Sequence, residues 1–268
     1  MKKRIAWFLA MALAVVIFGN FDSAFATPST TYWTPATSDI QPFGVYHLGI
    51  DNYFTVARKN DKGALPTDLG LTVGVLPFDK LQMEVGVDWM EPTNNALMFN
   101  AKIGTPEGKL FNNSPALNVG IFNAGTDSRD PSIDGDSRTD FNIVDIIIGK
   151  TLPFDLGRLH AGVYHGNSKT LVNVNKQGKK DNNGYMIGWD KGLKPTKDKE
   201  GNEYSKVLLA ADWASGNNAI GGGGFGAYYF FNKDISLLTG PVWFNEPSSA
   251  SPNANAKWVW TTQLDINF

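Results

Sequence analysis

The chain has 268 residues, of which 24 are basic and 26 acidic, so its net charge is −2. A balance so close to neutral excludes a polybasic nucleic-acid-binding protein. The sequence contains no cysteine, which excludes a disulfide framework and a thiolate metal site.

The first 26 residues have the pattern of a secretory signal peptide. A basic start, Lys2 to Arg4, precedes an apolar run over residues 5–18, and Ala24-Phe25-Ala26 places small residues where a signal peptidase cleaves. The apolar run is shorter than the roughly 20 residues that a membrane-spanning helix needs. We therefore expect a cleaved signal peptide over residues 1–26 rather than a membrane anchor.

Residues 27–42 precede the first strand candidate. The stretch "TPSTTYWTPATSDIQP" holds three prolines and several Ser and Thr residues, which indicates an extended, irregular segment. The sequence alone does not place this segment relative to the strands that follow it.

From residue 43 onward the sequence alternates between apolar and polar residues. In Leu81 to Trp89 every odd position is apolar and every even position is polar or Gly, which is the period of a strand with two different faces. The same reading predicts about twelve strands, near 43–57, 68–77, 80–90, 96–104, 115–123, 141–151, 157–166, 184–190, 205–214, 223–232, 234–245 and 257–268.

The connections between these strands alternate in length. Long connections lie at 58–67, 91–95, 124–140, 167–183, 215–222 and 246–256. Among the others we predict three tight turns, around Pro77, Pro153 and Lys233. Long connections on one side and short ones on the other are typical of outer-membrane barrels. We therefore predict an all-β protein, an antiparallel up-and-down transmembrane β-barrel of about 12 strands over residues 43–268. Two placements of residues 27–42 then stay open: the segment either hangs in the periplasm or enters the lumen of the barrel as a small plug, using Tyr32 and Trp33.

The end of the chain resembles the β-signal of Gram-negative outer-membrane proteins. The last strand alternates apolar residues and ends in Ile266-Asn267-Phe268, the hydrophobic-x-aromatic element, while Gln263 departs from the glycine often found at its position. The resemblance implies a porin-like barrel in the cell outer membrane, in contact with lipid and lipopolysaccharide. It also implies that the barrel-assembly machinery recognises the Ile266–Phe268 end. It indicates no particular subfamily and no oligomeric state.

A soluble β-sandwich or jelly roll is the main alternative fold, because it also alternates and has regular turns. Aromatic residues near the strand ends favour the barrel, since a barrel in lipid carries aromatic belts at both interfaces. Phe78 and Phe154, each within a repeated "LPFD" turn, and the terminal Phe268 are the predicted interface aromatics.

The polar strand faces would line the lumen of such a barrel. The predicted pore-lining residues are mostly acidic, namely Asp51, Tyr53, Glu84, Asp88, Lys102, Asp145, Asp212 and Asp265. An acidic lining attracts cations and repels anions. Glycines on the same face either leave space in the lumen or relieve strain in the twisted sheet. The sequence thus predicts a channel for passive diffusion of small polar solutes, with a mild cation preference and no cofactor.

Two other functions stay open. An outer-membrane β-barrel enzyme acting on lipid or lipopolysaccharide would need a nucleophile and a base within reach of each other. His47, His160 and His165 have no serine two residues further along on the same strand face, so we predict no enzyme and no catalytic residue. A structural or surface-binding barrel without transport is the other alternative.

Two loop motifs suggest ligands only weakly. The loop 124–140 carries five aspartates, a residue type that binds divalent cations, but it lacks the spacing of an EF-hand and contains Arg129 and Arg138. We interpret it as a solvated acidic loop and predict no metal site. The "GGGG" stretch at 221–224 lacks the rest of a phosphate-binding motif, and we interpret it as a flexible loop before a strand.

Overall fold

The computed structural model describes residues 30–56, 66–91, 97–128, 138–247 and 256–268. The predicted signal peptide and the central part of the acidic loop lie outside these ranges. The strands are β1 (Tyr46–Phe54), β2 (Thr67–Gly74), β3 (Gln82–Glu91), β4 (Leu97–Thr105), β5 (Ala116–Ala124), β6 (Ile143–Thr151), β7 (Arg158–His165), β8 (Val172–Asn173), β9 (Lys179–Lys180), β10 (Asn183–Lys197), β11 (Glu203–Ala214), β12 (Gly222–Phe230), β13 (Ile235–Phe244) and β14 (Trp258–Asn267).

Twelve of these strands form a closed antiparallel barrel, which confirms the predicted fold class. Each barrel strand pairs with its neighbour in the chain, and β1 pairs with β14 to close the sheet, with His47 opposite Asn267 and Phe54 opposite Trp260. β8 and β9 form a separate small hairpin within the connection between β7 and β10. We call the end that holds the start of β1 and Phe268 the near end, and the opposite end the far end.

The outer surface of the barrel is apolar and bounded by aromatic side chains. An aliphatic band of exposed residues runs around the middle: Val85, Ile103, Val119, Ile146, Val163 and Ile187. Exposed aromatic residues surround its far end (Phe54, Trp89, Trp213, Trp243 and Trp258) and its near end (Phe43, Tyr46, Phe78, Phe154, Phe231 and Phe268). An apolar band between two aromatic girdles is the surface that a bilayer and its two interfaces require.

The hairpin of β10 and β11 extends past the near end of the barrel, where residues 191–204 were predicted as a loop. β10 pairs with β7 only as far as Asp190, while its pairing with β11 continues to Lys197. Pro195 lies in this extension, opposite Ser205. A proline is tolerated there because one edge of the strand has no further ladder partner for a backbone N–H. Proline and lysine are uncommon in strands, so the sequence did not predict a strand in this stretch.

The two "LPFD" turns differ in the structure. Phe154 and Asp155 both have positive φ, at 59° and 55°, as the central residues of a type I′ hairpin turn do. Around Pro77 the predicted tight turn is wrong, because the first ladder bond joins Val75 N to Met83 O across a longer connection. Phe78 and Phe154 are nevertheless both exposed at the near end, where we predicted interface aromatics.

The glycines at 222–224 are part of β12 rather than of a flexible loop, so that interpretation of "GGGG" is wrong for three of its four residues. Gly222, Gly223 and Gly224 pair with Phe244, Trp243 and Val242 of β13. The ladder between β12 and β13 is then interrupted until Ala227 opposite Thr239. Pro241 lies within this interruption on the β12 side, while on the other side of the strand it stays opposite Trp260 of β14.

Candidate functional site

Residues 30–42, here called the N-terminal segment, lie inside the barrel. Tyr32, Ala36 and Thr37 have no solvent-accessible surface, and Gln41 is also buried. The segment enters the lumen in the far half, beside β11 and β12, and leaves at the near end, where Phe43 bridges to Gly74 of β2. Of the two placements that the sequence leaves open, the structure has the one in the lumen.

One carboxylate holds the far part of the segment. Asp212 Oδ2 accepts hydrogen bonds from three successive backbone N–H groups, those of Tyr32 at 2.9 Å, Trp33 at 2.7 Å and Thr34 at 2.7 Å. Backbone N–H groups in an irregular segment have no ladder partner, and burying them unpaired would be costly. Asp212, predicted as a pore-lining residue, therefore faces inward but binds the segment.

Glycines of β12 and β13 make room for the side chain of Tyr32. A Cβ atom added at Gly224 or Gly226 would lie 2.6 Å from the Tyr32 ring, and one at Gly240 would lie 2.7 Å from its hydroxyl. The hydroxyl donates a hydrogen bond to Pro241 O at 3.0 Å. The glycine-rich stretch of β12 is thus the socket of a buried aromatic ring.

An ion-pair network holds the near part of the segment. Arg158 donates two hydrogen bonds to Asp39 of the segment, at 2.8 and 2.7 Å, and two more to Asp190 of β10, both at 3.0 Å. A guanidinium between two carboxylates is a geometry that Arg suits and Lys does not. Arg158 is only 8% exposed, so this network links the segment to the barrel wall away from bulk water.

A second contact at the same level aligns Ser38, His160 and Asp190. Ser38 Oγ lies 3.0 Å from His160 Nδ1, and His160 Nε2 lies 3.0 Å from Asp190 Oδ2. The backbone N–H of Ser38 also donates to the same Nδ1 at 3.1 Å, which makes that nitrogen an acceptor. The sequence did not reveal this contact, because Ser38 and His160 are far apart in the chain.

Two further predicted lumen residues, Glu84 and Lys102, form an ion pair at 3.5 Å that also binds the segment. Gln41 N donates to Glu84 Oε2 at 2.6 Å, and Lys102 Nζ donates to Asp39 O at 3.1 Å. Asp265 lies 3.4 Å from His47 Nε2. Both pairs therefore lie inside the barrel, and Lys102 compensates the charge of Glu84.

The lumen contains a cavity of about 350 Å³, which extends from the far half to the Glu84–Lys102 and Asp265–His47 pairs. Its acidic wall consists of Asp51 on β1, Asp68 on β2 and Asp88 on β3. The register places Asp51 opposite Asp68, and Asp88 opposite Gly70. Asp68 was missed by our sequence analysis, although its alternation with Leu69 and Leu71 signals an inward side chain.

Apolar side chains form much of the rest of the cavity lining. Trp33 of the N-terminal segment packs against Phe244, with ring centroids 5.6 Å apart in an edge-to-face arrangement. Phe122 and Phe141 line the same cavity, as do Tyr53 and the buried Asp145. The cavity thus has an acidic side and an aromatic side.

The described part of the acidic loop uses its carboxylate within the protein. Asp140 accepts two hydrogen bonds from Arg138, at 2.9 and 2.6 Å, and others from Asn167 and Thr170. Burial tends to raise the pKa of Asp140, but the hydrogen bonds and charge of Arg138 outweigh burial and lower this pKa. Asp130, Asp134 and Asp136 lie outside the described residues. Among those described, no group of three potential metal-binding residues occurs.

A closed barrel with an apolar, aromatic-bounded exterior and with most of its buried charges inside has the construction of an outer-membrane β-barrel protein. No helix within the described ranges is long and apolar enough to cross a membrane.

Comparisons with known proteins found similarity among solved structures and none among family models or curated proteins. No protein-family model and no curated protein matches the chain. The solved NanC porin is similar at 7% identity and a TM-score of 0.48, over 83% of this chain and 98% of that one. The KdgM porin has 7% identity and a TM-score of 0.46, over 84% of this chain and 99% of that one. The COG4313 outer membrane channel from Pseudomonas putida F1 has 12% identity and a TM-score of 0.46, over 91% of this chain and 100% of that one.

Proposed function

We propose that the protein is an outer-membrane channel for passive diffusion of small polar solutes, with a mild preference for cations. The acidic side of the lumen cavity carries the proposal. Asp51, Asp68 and Asp88 form no ion pair with any described residue, so their carboxyl groups remain open to solutes in the cavity. Carboxylates in a confined lumen raise the local concentration of cations and lower that of anions.

The N-terminal segment supports a narrow channel rather than a wide one. A twelve-stranded barrel is wide enough to hold water, but the segment fills much of the near half and is fixed by Asp212, Arg158 and Glu84. Solutes that cross the barrel must pass beside the segment or require its displacement. We therefore expect a small conductance with discrete transitions to larger values.

Recording from the purified protein in planar bilayers tests the proposal. Under a potassium chloride gradient, the reversal potential should indicate a preference for potassium over chloride. The variant Asp51→Asn/Asp68→Asn/Asp88→Asn should shift the reversal potential toward zero, the value for a pore without selectivity, because it removes three acidic side chains that have no ion-pair partner. A matched control, Asp79→Asn/Glu200→Gln/Glu203→Gln, removes three exposed carboxylates outside the lumen and should leave the selectivity unchanged. No conductance, or selectivity for chloride, would refute the proposal.

Enzyme activity is a second candidate only because Ser38, His160 and Asp190 are aligned. Several contacts favour an anchoring role for this serine. A Cβ at Gly149 would lie 2.0 Å from Ser38 Oγ, Asp190 is already bound by Arg158, and neither Ser38 nor His160 lines the 350 Å³ cavity. We propose that the protein is not an enzyme. Labelling of Ser38 by a fluorophosphonate in the folded protein would contradict this.

A structural or surface-binding barrel without transport is the remaining alternative. Bilayers in which the protein is inserted and folded, yet silent both with and without the N-terminal segment, would favour that function.

The location and assembly of the protein follow from the same proposal. We infer that residues 1–26 are cleaved on export and that the barrel lies in the cell outer membrane against lipid and lipopolysaccharide. We also infer that the assembly machinery recognises the Ile266–Phe268 end. Phe268 stacks on Tyr46 with centroids 5.6 Å apart, and its N–H donates to Tyr46 O at 3.0 Å, so it lies at the seam of the barrel.

The variant Phe268→Ala should reduce the amount of protein in outer-membrane fractions. An unchanged amount would count against recognition of this end.

A further inference from the structure

The distribution of charge within the lumen divides the carboxylates into two groups. In the near half, Asp39 and Asp190 share Arg158, Glu84 pairs with Lys102, and Asp265 pairs with His47. On the acidic side of the cavity, Asp51, Asp68 and Asp88 have no cationic partner among the residues that the structure describes. Two of these pairs, Glu84 with Lys102 and Asp265 with His47, also line the cavity, whereas Asp51, Asp68 and Asp88 have no cation beside them there.

Placing these three carboxylates close together costs free energy when no cation lies among them. Asp51 and Asp68 lie directly opposite each other on paired strands, where like charges repel. Asp88 receives a hydrogen bond of 2.6 Å from Asn100 Nδ2, which positions its carboxylate without neutralising it. A cation in the cavity would relieve this repulsion, so its binding is favoured by all three groups.

A fourth carboxylate of the cavity lining has one oxygen without a hydrogen-bond partner. Asp145 is only 4% exposed and interacts with Lys102 and the backbone N–H of Gly120, yet its Oδ1 atom makes no hydrogen bond in the described structure. Buried carboxylate oxygens are normally satisfied. An unsatisfied oxygen at the wall of a cavity indicates a place for a donor that arrives from outside the protein.

The aromatic side of the cavity determines which cation fits. Trp33, Phe122, Phe141 and Phe244 line the cavity together with Met98 and Ile220. A small hydrated metal ion gains little from such surfaces, whereas an ammonium group on an apolar body gains both burial of its body and attraction to the ring faces. The cavity volume of about 350 Å³ falls within the range of small-molecule sites.

We propose that this cavity is a binding site for small organic ammonium ions that carry an aromatic or other apolar group. The acidic side, formed by Asp51, Asp68 and Asp88, receives the charged nitrogen, and the aromatic side receives the apolar body. The inference deepens the proposed channel function by naming a solute class, and its physiological meaning rests on that function. The binding itself does not require that the channel conduct.

Calorimetric titration of the full-length protein in detergent micelles with benzyltrimethylammonium tests the site. We expect saturable binding that is about tenfold or more weaker in Asp51→Asn/Asp68→Asn/Asp88→Asn, since several charge contacts are lost together. The control Asp79→Asn/Glu200→Gln/Glu203→Gln should bind within about twofold of the unaltered protein, because long-range charge is screened. Phe141→Leu should weaken binding severalfold by removing a ring face. Heat-modifiable migration on gels establishes that each variant is folded.

The choice of probe distinguishes this site from non-specific attraction. Benzenesulfonate, an anion of similar size, should not bind, and tetramethylammonium, a cation without a ring, should bind more weakly than benzyltrimethylammonium. Equal binding of the anion, equal binding to the triple aspartate variant, or no binding of benzyltrimethylammonium would overturn the inference. Binding without conductance in bilayers would retain the site and refute the channel. Cation-selective conductance without such binding would retain the channel and refute the site.

Discussion

At the scale of single residues, Arg158 connects the largest number of buried charges. It contacts Asp39 of the N-terminal segment and Asp190 of the barrel wall, and Asp190 in turn contacts His160. The desolvation cost of such a group is offset only while its partners remain in place. Loss of Arg158 would leave the partly buried Asp39 and the buried Asp190 without this counter-charge.

We therefore predict a graded loss of stability at this position. Arg158→Met should lower the free energy of unfolding by about 3–5 kcal/mol, the usual cost of removing one partner from a buried pair. Arg158→Lys should cause a smaller loss, because it keeps the charge but cannot form two bidentate contacts. The midpoint temperature of unfolding in micelles, measured as the temperature at which the fast-migrating gel band of the folded barrel is lost, ranks the variants by stability. Lys191→Met, whose partner Asp155 is exposed, is the control and should change little. Equal midpoints for all three variants would contradict the role of the network.

Tyr32 and Asp212 show at the same scale what the sequence does not reveal. Asp212 alternates correctly in its strand, so its inward position was predictable, but its three hydrogen bonds to N–H groups about 180 residues away were not. The reason for glycine at positions 224 and 226 is likewise visible only in the structure, which packs the Tyr32 ring against them. A glycine in a strand indicates a close approach, but not which group approaches.

At the scale of elements, the barrel strands were predictable because each has a lipid face and a lumen face, which imposes a period of two. The N-terminal segment has no such period. Its position follows from contacts of single groups, such as Ser38 with His160 and Asp39 with Arg158, between parts of the chain that no local pattern connects. The prolines that marked it as irregular, like Pro195 in the β10 extension, carried no information on where it lies.

Deletion of residues 28–40 should increase the single-channel conductance severalfold. The deletion opens the lumen that Tyr32, Ala36 and Thr37 occupy, while the closed ladder of strands remains. Bilayer recording of the deletion variant beside the full chain measures the change. Removal of Asn175–Gly178, exposed in the hairpin of β8 and β9, is a control that should leave the conductance as it is. An unchanged conductance after deletion of 28–40 would show that the segment does not restrict the pore.

At the scale of the whole molecule, closure of the sheet leaves no strand of the barrel unpaired. The pairing of β1 with β14 satisfies the backbone of what would otherwise be two edge strands. Many large aliphatic and aromatic side chains, including Ile146 and Val163, point outward. The interior combines the polar network and the N-terminal segment with two buried apolar clusters, one that includes Leu208 and Leu238 and one that includes Ile147 and Met186. An apolar exterior of this kind is stable only where lipid or detergent covers it.

The closed sheet should therefore behave as one cooperative unit that resists detergent. Purified protein left unboiled in sodium dodecyl sulfate should migrate faster than boiled protein, because the barrel stays compact until heat breaks the ladder. The deletion variant lacking residues 28–40 should still show the fast band, since its strands retain all their pairings. Transfer to detergent-free buffer should precipitate both proteins, because detergent then no longer covers their exposed aliphatic bands. A protein that stays soluble and monomeric without detergent, and migrates identically before and after boiling, would contradict the membrane barrel.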